Sequence, residues 1–102
     1  MIMNNAQIEQ EIQDKGLTAP RVTTQRIEEV IIGEDYHVFN GTTLTVCCLM
    51  LANGFTVTGE SACASPENFN IELGKKIARD NAKQKIWALE GYVLRERLAA
   101  SA

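Results

Sequence analysis

The dipeptide Asn53-Gly54 separates a largely apolar run, LTVCCLMLA, from a mixed one, FTVTGESAC. Asn-Gly is the strongest short reversal signal, because a type I′ turn needs positive φ at both central residues. A two-residue loop pairs Ala52 with Phe55, Met50 with Val57, Cys48 with Gly59 and Val46 with Ser61. Side chains alternate along a strand, so one face collects Leu44, Val46, Cys48, Met50, Ala52, Phe55 and Val57. That face is the expected core. The other collects Thr45, Cys47, Leu49, Leu51, Thr56, Thr58 and Glu60. Leu49 and Leu51 give this second face two readings: partial cover by the N-terminal segment, or a surface for self-association or a partner.

The flanking sequence completes an α+β domain of the order α-β-β-β-α. Ile8 and Ile12 make a narrow seam on a short N-terminal helix that Gly16 closes. Residues 1–18 read as this short helix or a flexible arm, and 19–102 as one domain. Residues 17–22 form a linker around Pro20. Thr23 caps a helix from Thr24 to about Ile32, with Ile27, Val30 and Ile31 inward and Gly33 ending it. Strands follow at about 35–39, 43–52 and 55–62, with Asn40-Gly41 as a second turn, giving a three-stranded antiparallel meander. Ser65-Pro66-Glu67 opens the long C-terminal helix. Leu73, Ile77, Ala78, Ala82, Ala88 and Leu89 share one of its sides. Gly74, Ala78 and Ala82 at four-residue steps let it approach the sheet closely. Ile86 and Trp87 fall off that stripe. Gly91 predicts a bend or short break at 88–91, with helix resuming through Leu98 and residues 99–102 frayed.

Composition narrows the function classes. A length of 102 residues fits one domain, and 45% hydrophobic content is that of a globular chain. A net charge of −3 argues against a protein that binds nucleic acid over its whole surface. No apolar run is long enough to span a bilayer, so no membrane partner is expected. Cys47 and Cys48 are neighbours on a strand and point to opposite faces. With Cys63 they read as reduced thiols in a cytoplasm.

No catalytic or metal constellation emerges. His37 is the one histidine, and Cys47, Cys48 and Cys63 lack the paired spacing of zinc ligands. Residues 59–63, GESAC, resemble part of a nucleophile elbow but lack its second glycine. No cofactor motif is present: Gly54, Gly59 and Gly74 are scattered and do not form a phosphate loop. The chain is therefore expected to be nonenzymatic. Lys75, Lys76, Arg79 and Lys83, with Lys85 nearby, form the concentrated basic face. They read as a solvated helix face, or as a contact for phosphates or an acidic partner. The element order also matches double-stranded-RNA-binding domains, although no basic loop lies between the strands. Trp87 is the candidate interface anchor if it points outward.

Four stretches carry a resemblance. They are APRVT at 19–23, NGFTVTGESAC at 53–63, GKKIAR at 74–79 and IWALEGY at 86–92. With them the chain resembles a family of small tailed-bacteriophage proteins found in coliphages and a Shigella podovirus, over residues 19–98. The resemblance implies a phage product acting in the cytoplasm of the infected host, and it carries over no activity and no catalytic residues. Together the readings predict a nonenzymatic accessory protein that binds a host or phage protein, as a homodimer. The alternative is a nucleic-acid or nucleotide binder using the basic helix face.

Overall fold

The hairpin loop is one residue longer than predicted and begins one residue earlier. In the computed structural model, which describes residues 4–16 and 19–101, Leu51 N–H donates to the Phe55 carbonyl and Gly54 N–H donates to the Leu51 carbonyl, both at 2.8 Å. The loop is thus Ala52-Asn53-Gly54. Gly54 alone takes the left-handed value, φ +92°, and no non-glycine among the described residues has positive φ. A type I′ turn would need positive φ at Asn53 as well, so the turn is of the three-residue kind closed by a glycine. The Asn53 side chain braces it, accepting from Phe55 N–H at 2.9 Å.

This one-residue difference inverts a whole strand, because side chains alternate with period two. Leu49 now pairs with Val57, Cys47 with Gly59 and Thr45 with Ser61. Thr45, Cys47, Leu49 and Leu51 are buried, with Leu49 at 0% exposure. The expected core face of the middle strand, Val46, Cys48 and Met50, looks out of the sheet's open side and is half-buried, while Phe55 is exposed. The third strand keeps its expected faces: Val57 and Gly59 are buried, and Thr56, Thr58 and Glu60 are exposed. Leu49 and Leu51 therefore belong to the core and are not an outer surface.

The elements in order are α1 (Asn5–Asp14), α2 (Thr24–Glu29), β1 (Ile31–Val38), β2 (Thr45–Leu51), β3 (Thr56–Ser61), a 3₁₀ turn (Pro66–Asn68) and α3 (Ile71–Ala100). The sheet is an antiparallel meander in the order β1-β2-β3, and the chain is α+β as predicted. Leu17 and Thr18 of the expected linker, Met1–Met3 of the arm and the last residue lie outside the described residues. The N-terminal helix forms over Asn5–Asp14 with a reciprocal cap: Asn4 accepts from Gln7 N–H, and the Gln7 side chain accepts from Asn4 N–H. It docks on α2, and among the described residues nothing covers the outer face of the sheet.

Two element boundaries move for local reasons. Helix α2 is capped by the Thr23 side chain, as predicted, but ends at Glu29. Ile31 and Ile32 already belong to β1, since β-branched pairs favour extended backbone. Gly33 is a strand residue, and Ile32 is the extra residue of a bulge between Ile31–Leu51 and Gly33–Met50 pairing. At the other end, Pro66 starts only a 3₁₀ turn. Asn70 is the cap of α3, its side chain accepting from Leu73 N–H at 2.9 Å.

Helix α3 is continuous for 30 residues through Gly91, without the expected break. One interior glycine costs about 1 kcal/mol, and the long run of good helix formers around it outweighs that. Gly74, Ala78, Ala82 and Ile86 are its buried residues. The small-residue row is as predicted, but Ile86 continues it at 0% exposure, while Leu73 and Ile77 are exposed. The row follows four-residue steps, which drift around the helix as the underlying sheet twists. The core is completed by Ile27 and Val30 of the α2 region.

Candidate interaction surface

Most of the basic residues singled out from the sequence hold the fold together. Arg79 donates to Glu28 Oε2 at 3.2 Å and to Glu34 Oε1 at 3.4 Å, and Lys83 Nζ lies 3.1 Å from Glu28 Oε1. These contacts stitch α3 to α2 and β1. The Arg79 guanidinium holds the Glu28 carboxyl below the usual carboxylate range, with Lys83 adding to the effect. Glu28 in turn raises Arg79. Lys75 Nζ stands 5.6 Å from the centroid of the Tyr36 ring, within cation–π reach. The Tyr36 hydroxyl donates to the Glu34 carboxylate, and burial with that neighbouring charge pushes its pKa upward. Burial also raises the Cys47 thiol. Lys76 is exposed on the outer side of α3.

Trp87 does not point outward. It is half-buried, packs against the core and lines the clefts beneath α1 with Asn5, Ile8, Ile12 and Val22. Arg21 fastens α1 from the side through a bidentate pair with Glu9, one arm at 2.8 Å.

The candidate catalytic side chains do not converge. His37 and Glu60 flank Val46 from opposite strands on the open face of the sheet, and Ser61 projects from the other face. His37 packs edge-on against Phe39 at 4.4 Å between ring centroids. Among the described residues no three His, Cys, Asp or Glu side chains group as a metal site, and the three cysteines are unpaired.

An apolar corner forms where the sheet ends and α3 continues. A helix of 30 residues is about 45 Å long at 1.5 Å per residue, whereas β2 spans about 23 Å over its seven residues. The overhang makes the molecule 53 Å long. Beneath it lies a groove of about 360 Å³, floored by Val30, Leu51 and Leu89 and walled by Phe55, Tyr92 and Val93. Phe55 is 55% exposed, Tyr92 70% and Val93 43%. The Arg26–Glu90 ion pair, at 3.2 Å, closes one rim. These walls were missed in the sequence. Phe55 shares the inward side of Val57 and is expected in the core, Tyr92 reads as core or helix–sheet packing, and Val93 carries no reading in the sequence. The available signal was the mismatch in length between a helix running past residue 90 and strands of six to eight residues.

No curated protein and no solved structure matches the chain. Among the described residues no helix is long and apolar enough to cross a membrane. A family model described as Phage protein (N4 Gp49/phage Sf6 gene 66) family matches residues 22–98, which contain α2, all three strands and nearly all of α3. The chain belongs to this phage protein family.

Proposed function

We propose that the protein is a nonenzymatic phage accessory protein that acts in the infected host's cytoplasm by binding a protein, and that it does so as a homodimer. The observation that carries this reading is the apolar corner. Phe55 and Tyr92, two large aromatic side chains, stay more than half exposed beside an apolar floor. Contiguous exposed apolar surface of this kind marks protein contact sites, where aromatic residues dominate the energetics. The nucleic-acid alternative is weakened by the commitment of Arg79 and Lys83 to Glu28 and Glu34. Lys75, Lys76 and the nearby Lys85 are left as its cations. Affinity capture from infected cells, with and without nuclease, separates the two readings. Light scattering on the purified chain reports the dimer. Recovery that disappears on nuclease treatment favours the nucleic-acid reading, and a monomer that captures no protein removes the proposed one.

A further inference from the structure

Helix α3 carries a self-complementary seam on its overhanging end. Lys85, Leu89, Tyr92 and Glu96 recur at spacings of four, three and four, which places them along one side of the helix. Lys85, Tyr92 and Glu96 are exposed, and Leu89 is half-buried at the groove floor. Arg21, Arg26, Arg79 and Lys83 each have a carboxylate partner, whereas Lys85 and Glu96 make no ion pair among the described residues. The order along the seam is positive, apolar, apolar, negative. A twofold axis midway between Leu89 and Tyr92 reverses that order, so an antiparallel copy presents the complementary sequence at every position.

We propose that the partner in the homodimer is seated here: two copies of α3 lie antiparallel along this seam. Leu89 packs on Tyr92 of the second copy, and Lys85 meets Glu96 of the second copy twice, once on each side of the axis. The inference rests on the protein-binding reading above and specifies the surface. The contact is isologous, with the same patch on both chains, which gives a closed dimer instead of a filament. It covers Tyr92 and fills the corner beside Phe55, where the overhanging helix otherwise lacks support on its sheet side. A helix of unrelated sequence would have to match both the apolar pair and the reversed charges, which a second copy does by symmetry.

Sedimentation velocity on the full chain tests this at low and high salt. The wild type is expected to dimerise, less tightly at high salt because both charge pairs sit at the rim. Lys85→Glu and Glu96→Lys each set like charges against each other twice, so each alone weakens the dimer by about tenfold or more. Mixing the two variants restores it, since every contact in the mixed dimer again pairs opposite charges. Tyr92→Asp abolishes dimerisation, and circular dichroism with thermal melting checks that each variant stays folded. A wild type that is monomeric at about 0.1 mM overturns the inference, because affinities that weak fall outside a functional dimer. If that monomer still captures a protein from infected cells, the binding reading survives without this surface. A dimer that all three variants leave intact places the contact elsewhere and also overturns the inference.

Discussion

Gly59 of β3 lies directly beneath Ala82 of α3. A Cβ built on Gly59 would stand 2.2 Å from Ala82 N and 2.4 Å from the Ala78 carbonyl oxygen. The colliding atoms are helix backbone, which cannot rotate aside. Contact between the two main layers is therefore set by the absence of one side chain on the strand and by single methyl groups on the helix.

Gly59→Ala is expected to be the most destabilising single-methyl addition in the chain. Overpacking typically costs 1–3 kcal/mol, and a clash with backbone on this scale places the change at about 3 kcal/mol or above. Urea unfolding of the variant should show a large fall in midpoint at unchanged slope. A loss below about 0.5 kcal/mol would mean that the helix does not lie on this strand. Gly91→Ala is the matching control. A Cβ there meets nothing within 4 Å, and the helix gains about 1 kcal/mol.

Much of this arrangement was legible in the sequence, and the reason it was not all legible is specific. The row Gly74-Ala78-Ala82 announces a close helix–sheet approach, and the strand order follows from the turns at Asn40-Gly41 and Asn53-Gly54. Nothing local distinguishes a two-residue loop with both positions left-handed from a three-residue loop with glycine alone in that region. Both place Asn-Gly at the tip, and the middle run is apolar on both faces, so it tolerates either register. The choice is made by tertiary contact. With Leu49 opposite Val57 and Cys47 opposite Gly59, it is Thr45, Cys47, Leu49 and Leu51 that pack under α3, and Val46, Cys48 and Met50 that face out. The interaction corner is hidden for a different reason: Phe55 keeps to the side of Val57, but at the hairpin tip it lines an open groove and is not covered.

The hairpin tip gives a second prediction. Gly54 has φ +92° with open space around it, so a substitution there meets backbone strain and no clash. Gly54→Ala should cost about 1–2 kcal/mol, and Gly54→Asn less, because asparagine tolerates the left-handed region. Thermal melts of the two variants should keep that order. Equal stabilities would favour a turn in which residue 54 is not left-handed.

Acid sensitivity should trace in part to Glu28. Arg79, and to a smaller extent Lys83, hold its folded carboxyl below the usual carboxylate range. A depressed carboxylate contributes stability that is present above the unfolded pKa and is lost as pH falls through the folded one. The Glu28 side chain is 50% exposed, so solvent screening limits the effect to about 1 kcal/mol or less. Glu28→Gln should therefore narrow the stability difference between pH 7 and pH 3 and leave stability at pH 3 nearly unchanged. Arg79→Glu should destabilise at pH 7 by juxtaposing three carboxylates, while Lys76→Glu on the exposed side stays within about 0.5 kcal/mol. Chemical denaturation across pH 3–8 checks all three changes.

Trp87 reports on the N-terminal helix. It is the chain's one tryptophan, and it lies half-buried under α1 beside Ile8, Ile12 and Val22. Helix α1 itself has no buried residue, with Ile8 44% exposed; its capping box is exposed, and its Glu9–Arg21 pair is half-buried. A ten-residue helix is marginal in water without such docking. Replacing both Ile8 and Ile12 by Asp should release α1 from the cleft, moving tryptophan emission to longer wavelength and raising its quenching by iodide. The global melting temperature should fall only slightly, because the core of α2, the sheet and α3 contains none of the substituted side chains. Emission that does not move would show that the cover over Trp87 comes from Val22 and the rest of the domain and not from α1.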